Sequence, residues 1–289
     1  DIEQTLFGLE EPSRPDPGEG SVSTLAPGNV SVQPEEPEEG KTPAASGPNV
    51  MDIDFDALIA NETDSTLKDM HEYFRDRTPT EKNQYTGMFQ GKNLLLFTGE
   101  AFWIGAVNEQ YTPTLYKLAH SGFVFENFYN PLWYYSTVDG EYAATTGLIP
   151  TNQVNASQRY AGKNGVSMYF SMGNQLRALG YPTLAYHNNT ANYYDRNLSH
   201  PNLGYDFYAC DTGLDVAMTW PQSDLEMMQL TLPQALAGEK PFHNYYMTVS
   251  GHMNYSFAGN AMSAKHRDEV ADLDMSEAAR AYLACNMEL

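Results

Sequence analysis

The sequence predicts an α/β fold with a mainly parallel sheet flanked by helices. Apolar runs without polar alternation, such as residues 94–97, are typical of strands buried on both faces of a parallel sheet. Segments with helical spacing separate these runs, which is the alternation expected of β–α–β units. Three of the predicted strands also run into Glu100, His187 and His252. Because ligands bind at the carboxyl ends of such strands, these residues predict the position of a site.

Composition limits the classes of protein to which the chain can belong. Its 289 residues, 42% of them hydrophobic, are enough to bury one sizeable domain and leave an additional segment. A formal net charge of −21 argues against binding to nucleic acid or unaided binding to anionic lipid, and predicts a solvated acidic surface. Two cysteines, Cys210 and Cys285, are too few for a disulfide framework and are expected to be buried. No stretch approaches the roughly 20 apolar residues that cross a bilayer.

Three segments differ in composition. Residues 11–50 are rich in Pro, Gly, Glu and Ser and nearly lack large apolar side chains, so we expect residues 1–50 to form a flexible N-terminal segment. Residues 51–91 form a helical lead-in, with a helix at 65–76 followed by a connection. Residues 92–289 carry the predicted sheet and its helices.

The first half of the sheet-bearing part begins with the strand in KNLLLFTGE, which ends at Glu100. A helix follows, capped by Thr112, with Pro113 in its first turn and Gly122 at its end. Phe123, Phe125 and Phe128 then predict a second strand, and residues 129–142 a loop rich in Tyr and Trp.

The second half repeats the alternation. It contains, in order, a helix at 171–179, a strand at 181–186 before His187, a partly helical stretch at 223–237, a strand at 244–249 and a helix from 276 to the last residue. The stretch at 223–237 opens with the capping-box pattern Ser223-x-x-Glu226, and we expect Pro233 to interrupt it.

Glu100, His187 and His252 should converge, since the carboxyl ends of parallel strands share one edge of the sheet. Carboxylate and imidazole are also ligands that zinc or manganese accepts. Each residue also has an ordinary structural interpretation. His187 and His252 could be hydrogen-bonded structural residues, and Glu100 could cap the turn that follows it.

The segment Tyr134–Tyr142 offers a hydroxyl nucleophile, Thr137 or Ser136, beside two carboxylates. A hydroxyl needs a base or a metal to take its proton, and an ordinary polar turn is the alternative. Arg196 could bind phosphate or sulfate oxygens in a bidentate manner, or form a surface ion pair.

From Lys92 to Tyr255 the order of motifs resembles the extracellular catalytic domain of lipoteichoic acid synthases. These enzymes are the phosphoglycerol transferases of the alkaline phosphatase and sulfatase superfamily. The resemblance rests on KNLLLFTGEAF, TPTLYKLAHSG with FVFENFY, STVDGEY, AYHNNTANYYDRNL with LGYDFY, and KPFHNYYMTVSGHMNYSF. It implies a sulfatase/alkaline-phosphatase-like fold, with 92–289 as the N-terminal part of the catalytic domain.

The resemblance also implies roles for six residues. Thr137 matches the threonine nucleophile and a metal ligand, and Glu100 matches a metal-ligating glutamate. Four residues fall where the family binds the phosphoglycerol group: His187, Tyr194, Arg196 and His252. The implied cofactor is a divalent metal, Mn²⁺ with Mg²⁺ or Zn²⁺ as alternatives.

Three departures from the family pattern stand out. Tyr194 replaces a tryptophan and Ser136 replaces a lysine, which leaves the exact substrate open. No Asp-His pair follows His252, although the family completes its metal site with one. We therefore expect a chain that is incomplete at the C-terminal end of the domain and inactive without those ligands.

By resemblance, the function is transfer of glycerol phosphate from phosphatidylglycerol, or a related lipid head group, to a cell-envelope polymer or glycolipid. The domain would lie at the extracellular face of the cell membrane, held by an N-terminal anchor outside this sequence. The alternatives are a sulfatase or phosphodiesterase of the same superfamily, and a non-catalytic envelope-binding relative. A sulfatase would need a C/S-x-P-x-R motif, which is not evident near Thr137.

Overall fold

The computed structural model describes residues 46–129, 134 and 136–289. This part of the chain divides into two compact units, residues 46–91 and residues 92–289. The flexible segment predicted for residues 1–50 lies almost wholly outside the described residues. Within the described ranges, no helix is both long and apolar enough to cross a membrane.

The smaller unit contains two short helices, α1 (Phe55–Asn61) and α2 (Ser65–Arg75). Each begins where an aspartate side chain accepts a hydrogen bond from a backbone N–H of the first turn. Asp54 accepts from Ala57 at 2.9 Å, and Asp64 accepts from Thr66 at 2.8 Å. The sequence predicted α2 within one residue and missed α1, which has only seven residues.

The larger unit is built on a parallel sheet of four strands, β1 (Leu94–Thr98), β2 (Thr183–His187), β3 (Asp206–Ala209) and β4 (His243–Met247). Their order across the sheet is β1-β4-β2-β3, and every pairing is parallel. The predicted fold class is therefore confirmed. The last strand in the chain lies in the middle of the sheet, where all five of its residues are buried.

Both faces of the sheet are packed. Alternate residues of β4 point to opposite faces, so Tyr245 and Met247 join one apolar cluster while Tyr246 joins another. β2 divides in the same way, with Ala185 in the first cluster and Tyr186 in the second. Burial of each large side chain of this kind contributes about 1.5–3 kcal/mol, so these two strands anchor the unit.

β1 corrects one prediction. Its continuous apolar run predicted burial on both faces, but β1 is an edge strand with a single neighbour in the described sheet. Leu94, Leu95 and Phe97 are 37%, 39% and 41% exposed. An apolar run identifies a strand but does not say whether the strand has neighbours on both sides.

Eight helices flank the strands in the described part of this unit: α3 (Pro113–His120), α4 (Ser136–Thr146), α5 (Val154–Asn164), α6 (Met172–Ala178), α7 (Arg196–Asn202), α8 (Asp224–Leu236), α9 (Ala261–Lys265) and α10 (Glu277–Asn286). Sequence patterns predicted α3, α6, α8 and α10. They missed α4, α5, α7, α9 and strand β3.

Two predictions between α3 and α5 are wrong. Residues 123–128 do not form a strand, and all six are exposed. The loop predicted at 129–142 is helical from Ser136 onward, although residues 130–133 and 135 lie outside the described residues. Hydroxyls at the end of α4 bond back to carbonyls one turn earlier, Thr145 to Glu141 at 2.7 Å and Thr146 to Tyr142 at 2.6 Å.

Helix ends supply further corrections. α8 continues through Pro233 to Leu236 instead of being interrupted there, and α10 ends at Asn286 instead of running to the last residue. Ser223 caps α8 by accepting from the Glu226 N–H at 3.0 Å, whereas the Glu226 side chain accepts from Ala217 and does not complete the box. Thr112 occupies the N-cap position of α3 as predicted, but its side chain makes no capping hydrogen bond, and its hydroxyl donates to the Ala106 carbonyl instead.

Candidate active site

An open cleft lies at the carboxyl ends of β1, β4 and β2. Thr98, Met247 and His187 lie side by side across these strands, so the residues that follow them emerge at one edge. Six residues were predicted for the site, and all six line this cleft: Glu100, Thr137, His187, Tyr194, Arg196 and His252. The structure therefore brings the predicted residues together, while their chemical roles stay predictions.

Thr137 and Glu100 face each other within the cleft. The Thr137 hydroxyl donates to Glu100 Oε2 at 3.4 Å, and both residues are partly buried. The Glu100 N–H donates to Thr248 Oγ1 at 2.8 Å, which ties the end of β1 to the end of β4. Thr137 lies in the first turn of α4, where the helix dipole favours negative charge. This pair combines a hydroxyl, an adjacent acceptor and a favourable place for a phosphoryl group.

Gly251 permits the close approach of the two strand ends. A Cβ added at this position would lie 2.7 Å from the backbone oxygen of Glu100, nearer than real Cβ contacts come. Just beyond Glu100, Ala101 adopts a left-handed conformation with φ of 51°. Such non-glycine conformations cost on the order of 1–3 kcal/mol and persist only where the surroundings impose them.

His187 is neutral and presents a hydrogen-bond acceptor. Its Nδ1 lies 3.0 Å from the Met247 carbonyl, which can only accept, so Nδ1 carries the proton. Burial, together with the nearby Arg196 charge, lowers its pKa to about 3. The buried Nε2 has no hydrogen-bond partner among the described residues. At neutral pH Nε2 therefore carries a lone pair and can act only as a hydrogen-bond acceptor.

Arg196 forms an ion pair that is buried. The sequence had suggested either phosphate or sulfate binding or an ion pair at the surface. Its side chain is 3% exposed, and its Nε lies 3.2 Å from each carboxylate oxygen of Glu141, while Nη2 also donates to Oε1. Nη1 donates to the Tyr193 carbonyl at 3.4 Å. One edge of the guanidinium is thus occupied by Glu141, Nη1 contacts Tyr193, and Arg196 is one of the residues that line the cleft.

The segment before α7 is held in a strained conformation. Tyr194 and Asp195 are consecutive left-handed residues, with φ of 56° and 55°. The Tyr194 ring centroid lies 5.3 Å from the Arg196 guanidinium carbon, within range of a cation–π contact. Asp195 pairs with Arg159 of α5 at 2.9 Å. These contacts place Tyr194 at the cleft, where the family pattern has a tryptophan.

His252 lies in the loop after β4 and is more accessible than His187. Its Nδ1 lies 2.8 Å from the Met253 carbonyl, so Nδ1 again carries the proton. Its ring packs edge-on against Trp220, with centroids 5.0 Å apart. Trp220 is 47% exposed and also lines the cleft.

Asp224 is a buried carboxylate behind the site that sequence patterns did not single out. It accepts hydrogen bonds from the Val249 and Ser250 N–H groups at 3.0 and 2.8 Å, and from the Asn188 side chain at 3.0 Å. Burial raises its pKa to about 6, against the effect of these hydrogen bonds. Asp224 thereby fixes the segments that carry His187 and His252. In the sequence Asp224 directly follows Ser223, the residue that caps α8, and no pattern there indicates a role at the site.

The implied divalent metal fits the residues of the cleft in part. The carboxylate of Glu100 and the hydroxyl of Thr137 are oxygen donors of the kind that Mn²⁺ or Mg²⁺ accepts. Across residues 46–129, 134 and 136–289, no three His, Cys, Asp or Glu side chains form a group that could hold a metal ion. The described residues thus supply two candidate ligands and not a complete set.

The fold and the cleft define an α/β protein with a hydroxyl and a carboxylate paired at the carboxyl edge of a parallel sheet. The chain belongs to the sulfatase family, whose sequence profile matches residues 92–289. It is 23% identical to lipoteichoic acid synthase 2 from Bacillus subtilis, over 71% of this chain and 33% of that protein.

A solved structure shows the same fold. The crystal structure of the lipoteichoic acid synthase LtaP from Listeria monocytogenes superposes with a TM-score of 0.56 at 21% identity, covering 70% of this chain and 50% of that one. The family resemblance read from the motifs is therefore confirmed. The chain spans a third of the length of the curated relative and half of the solved structure.

Proposed function

We propose that this protein transfers glycerol phosphate from the head group of phosphatidylglycerol, or a related lipid, to a hydroxyl of a cell-envelope polymer or glycolipid. The observation that carries the proposal is the contact between the Thr137 hydroxyl and Glu100 in a cleft that Arg196 and His187 also line. Membership of the sulfatase family and the similarity to lipoteichoic acid synthase 2 support it.

In the proposed reaction, the Thr137 oxygen attacks phosphorus, and the bond from phosphorus to the diacylglycerol oxygen breaks. The proton lost by Thr137 ends on the departing diacylglycerol, and glycerol phosphate remains esterified to the threonine. An acceptor hydroxyl then attacks the same phosphorus, the bond to Thr137 breaks, and the threonine regains a proton. A divalent cation, Mn²⁺ with Mg²⁺ or Zn²⁺ as alternatives, would lower the pKa of the Thr137 hydroxyl and neutralise phosphoryl charge when bound. Glu100 and Thr137 would be two of its ligands.

The remaining residues would bind and orient the phosphoglycerol group. Arg196 lines the cleft, and the N–H groups of its guanidinium that do not contact Glu141 or Tyr193 would suit phosphate oxygens. His187 Nε2 is an acceptor, so it suits a hydroxyl hydrogen of the glycerol and not a phosphate oxygen. Tyr194 and His252 would close the sides of the same group. Because the proposed donor is a membrane lipid, we place the domain at the extracellular face of the cell membrane, held by an N-terminal anchor.

The test uses the full-length protein with phosphatidylglycerol vesicles and measures released diacylglycerol. Thr137→Ala should lower the rate by about a thousandfold or more, because the proposed covalent ester forms on the Thr137 hydroxyl. Ser136→Ala is the matched control and should keep the rate within a few-fold. Retained turnover in Thr137→Ala would contradict the proposal. Release of glycerol phosphate into water, without transfer to an acceptor, would favour the phosphodiesterase alternative.

A further inference from the structure

Glu141 is a buried carboxylate that none of the proposed steps uses. It lies on α4 one helical turn after Thr137 and is 5% exposed. Both of its oxygens lie within hydrogen-bonding distance of Arg196, and His200 Nε2 lies 3.7 Å from Oε2. Burial, together with the Arg196 charge, lowers the pKa of His200 to about 3, so this histidine adds no positive charge at neutral pH. The negative charge of Glu141 therefore acts on Arg196.

Arg196 is the one lysine or arginine among the described residues that line the cleft. Its position does not depend on Glu141 alone, since Nη1 donates to the Tyr193 carbonyl and the Tyr193 and Tyr194 rings lie 5.9 and 5.3 Å from its guanidinium carbon. Removal of the Glu141 charge would thus leave the arginine in place with its positive charge uncompensated. The main change at the cleft would be electrostatic.

We infer that Glu141 is a specificity-determining residue: it offsets the Arg196 charge so that the cleft accepts a singly charged phosphodiester and discriminates against doubly charged phosphate monoesters. The inference deepens the proposed function and rests on it, because the phosphodiester is the proposed lipid head group. A cleft with an unpaired arginine would hold the dianionic glycerol phosphate more firmly and compete with the lipid substrate.

Electrostatic attraction scales with the charge of the ligand, which gives the inference a characteristic signature. If loss of the Glu141 charge raises the affinity for a monoanion by some factor, the affinity for a dianion at the same place rises by the square of that factor. Allowing for solvent and salt screening, we expect roughly a threefold gain for a monoanion and roughly a tenfold gain for a dianion. If the role of Glu141 were purely structural, its substitution would lower the affinity for both ligands by a similar factor.

The test compares two soluble probes by isothermal titration calorimetry at pH 8, with the full-length protein and one fixed Mn²⁺ concentration. Glycerophosphoglycerol is the monoanion, and glycerol 1-phosphate is the dianion. Glu141→Gln should shift the ratio of the two dissociation constants about threefold in favour of the dianion. A ratio unchanged within the error, a shift toward the monoanion, or no binding of either probe to the wild type would overturn the inference.

Matched variants separate charge from packing. Glu141→Asp keeps the charge and should keep the wild-type ratio. Glu288→Gln removes another buried carboxylate, paired with Lys265 at 2.6 Å outside the cleft, and should also keep the wild-type ratio.

If Glu141→Gln does not fold, the double variant Glu141→Gln/Arg196→Gln is used for the test, because it removes both charges. Its ratio should match the wild type, and a shift of threefold or more toward the dianion would contradict the inference.

The readout is independent of turnover. If Thr137→Ala keeps the diacylglycerol-releasing activity, the proposed function fails, whereas the probe affinities still measure the charge effect of Glu141. If Thr137→Ala is inactive and the affinity ratio does not move in Glu141→Gln, the function stands and this inference fails.

Discussion

His187 and Asp224 show how burial sets the protonation of single side chains around the cleft. The histidine is kept neutral with its proton on Nδ1, and the aspartate titrates near pH 6. A neutral imidazole with an unpartnered Nε2 can accept a hydrogen bond but cannot neutralise a phosphate. The resemblance implies that His187 binds the phosphoglycerol group, and the proton on Nδ1 leaves Nε2 as a hydrogen-bond acceptor for the proposed interaction.

At this scale we predict that stability falls as the pH falls below about 6.5. The folded pKa values of His187 and His200 lie near 3, below the ordinary value of 6.5, so between these limits the unfolded chain binds more protons than the folded one. Each histidine should remove up to about 1.4 kcal/mol of unfolding free energy per pH unit. Asp224 has the opposite effect, because its folded pKa is raised. Its contribution to the unfolding free energy is fully present below about pH 4 and is lost as the pH rises through 6. Between these two pH values it therefore cancels the pH dependence of one histidine.

Urea denaturation at pH 7.5, 6.5, 5.5 and 4.5 measures this slope. In His200→Gln the loss between pH 6.5 and 4.5 should be smaller than in the wild type, because one of the buried histidines with a lowered pKa is gone; His187 and His243 remain. A free energy of unfolding that is constant from pH 7.5 to 4.5, or that rises toward acid, would show that these histidines are not buried as neutral groups.

At the scale of elements, the site depends on how closely the ends of β1 and β4 approach each other. Gly251, in the loop after β4, passes the backbone oxygen of Glu100 so closely that a methyl group would collide with it. The same ends are joined by the hydrogen bond from the Glu100 N–H to Thr248. The position of Glu100 relative to Thr137 is therefore a property of two strands and their loops.

We predict that Gly251→Ala destabilises the folded state by about 1–3 kcal/mol, because the Glu100 backbone must move to admit the methyl group. Gly122→Ala is the control: a Cβ there meets nothing within 4 Å, and the change should be neutral or slightly stabilising. Urea denaturation of both variants measures the difference. Equal stability of the two would show that the strand ends are further apart than the structure places them.

The elements that sequence patterns predicted share a strong local signal. β2 and β4 each contain a short apolar run, residues 184–186 and 245–247, and α6 and α10 begin at a serine that caps the helix. β3 was missed because it has only four residues and begins with an aspartate. α4 was missed because Val138 and Gly140 disfavour a helix, which is supplied here by tertiary packing that buries Val138 and Glu141.

At the scale of the whole molecule, the cleft is a consequence of the strand order. The last strand of the chain inserts between β1 and β2, which brings Glu100, His187 and His252 to one edge from positions far apart in sequence. That convergence could be predicted, since it follows from parallel strands ending at a common edge. The ion pair between Glu141 and Arg196 could not, because it joins two helices that the sequence patterns did not identify. The sulfatase profile covers this same unit, residues 92–289.

The most direct test of the central claim is mass spectrometry of the full-length protein after incubation with phosphatidylglycerol and no acceptor. We predict a glycerophosphoryl adduct on the peptide that contains Thr137, localised to that residue by fragmentation and absent from Thr137→Ala. Ser136→Ala should still carry the adduct. Steady release of diacylglycerol without any adduct at Thr137, or an adduct at Ser136 instead, would contradict the assignment of Thr137 as the nucleophile.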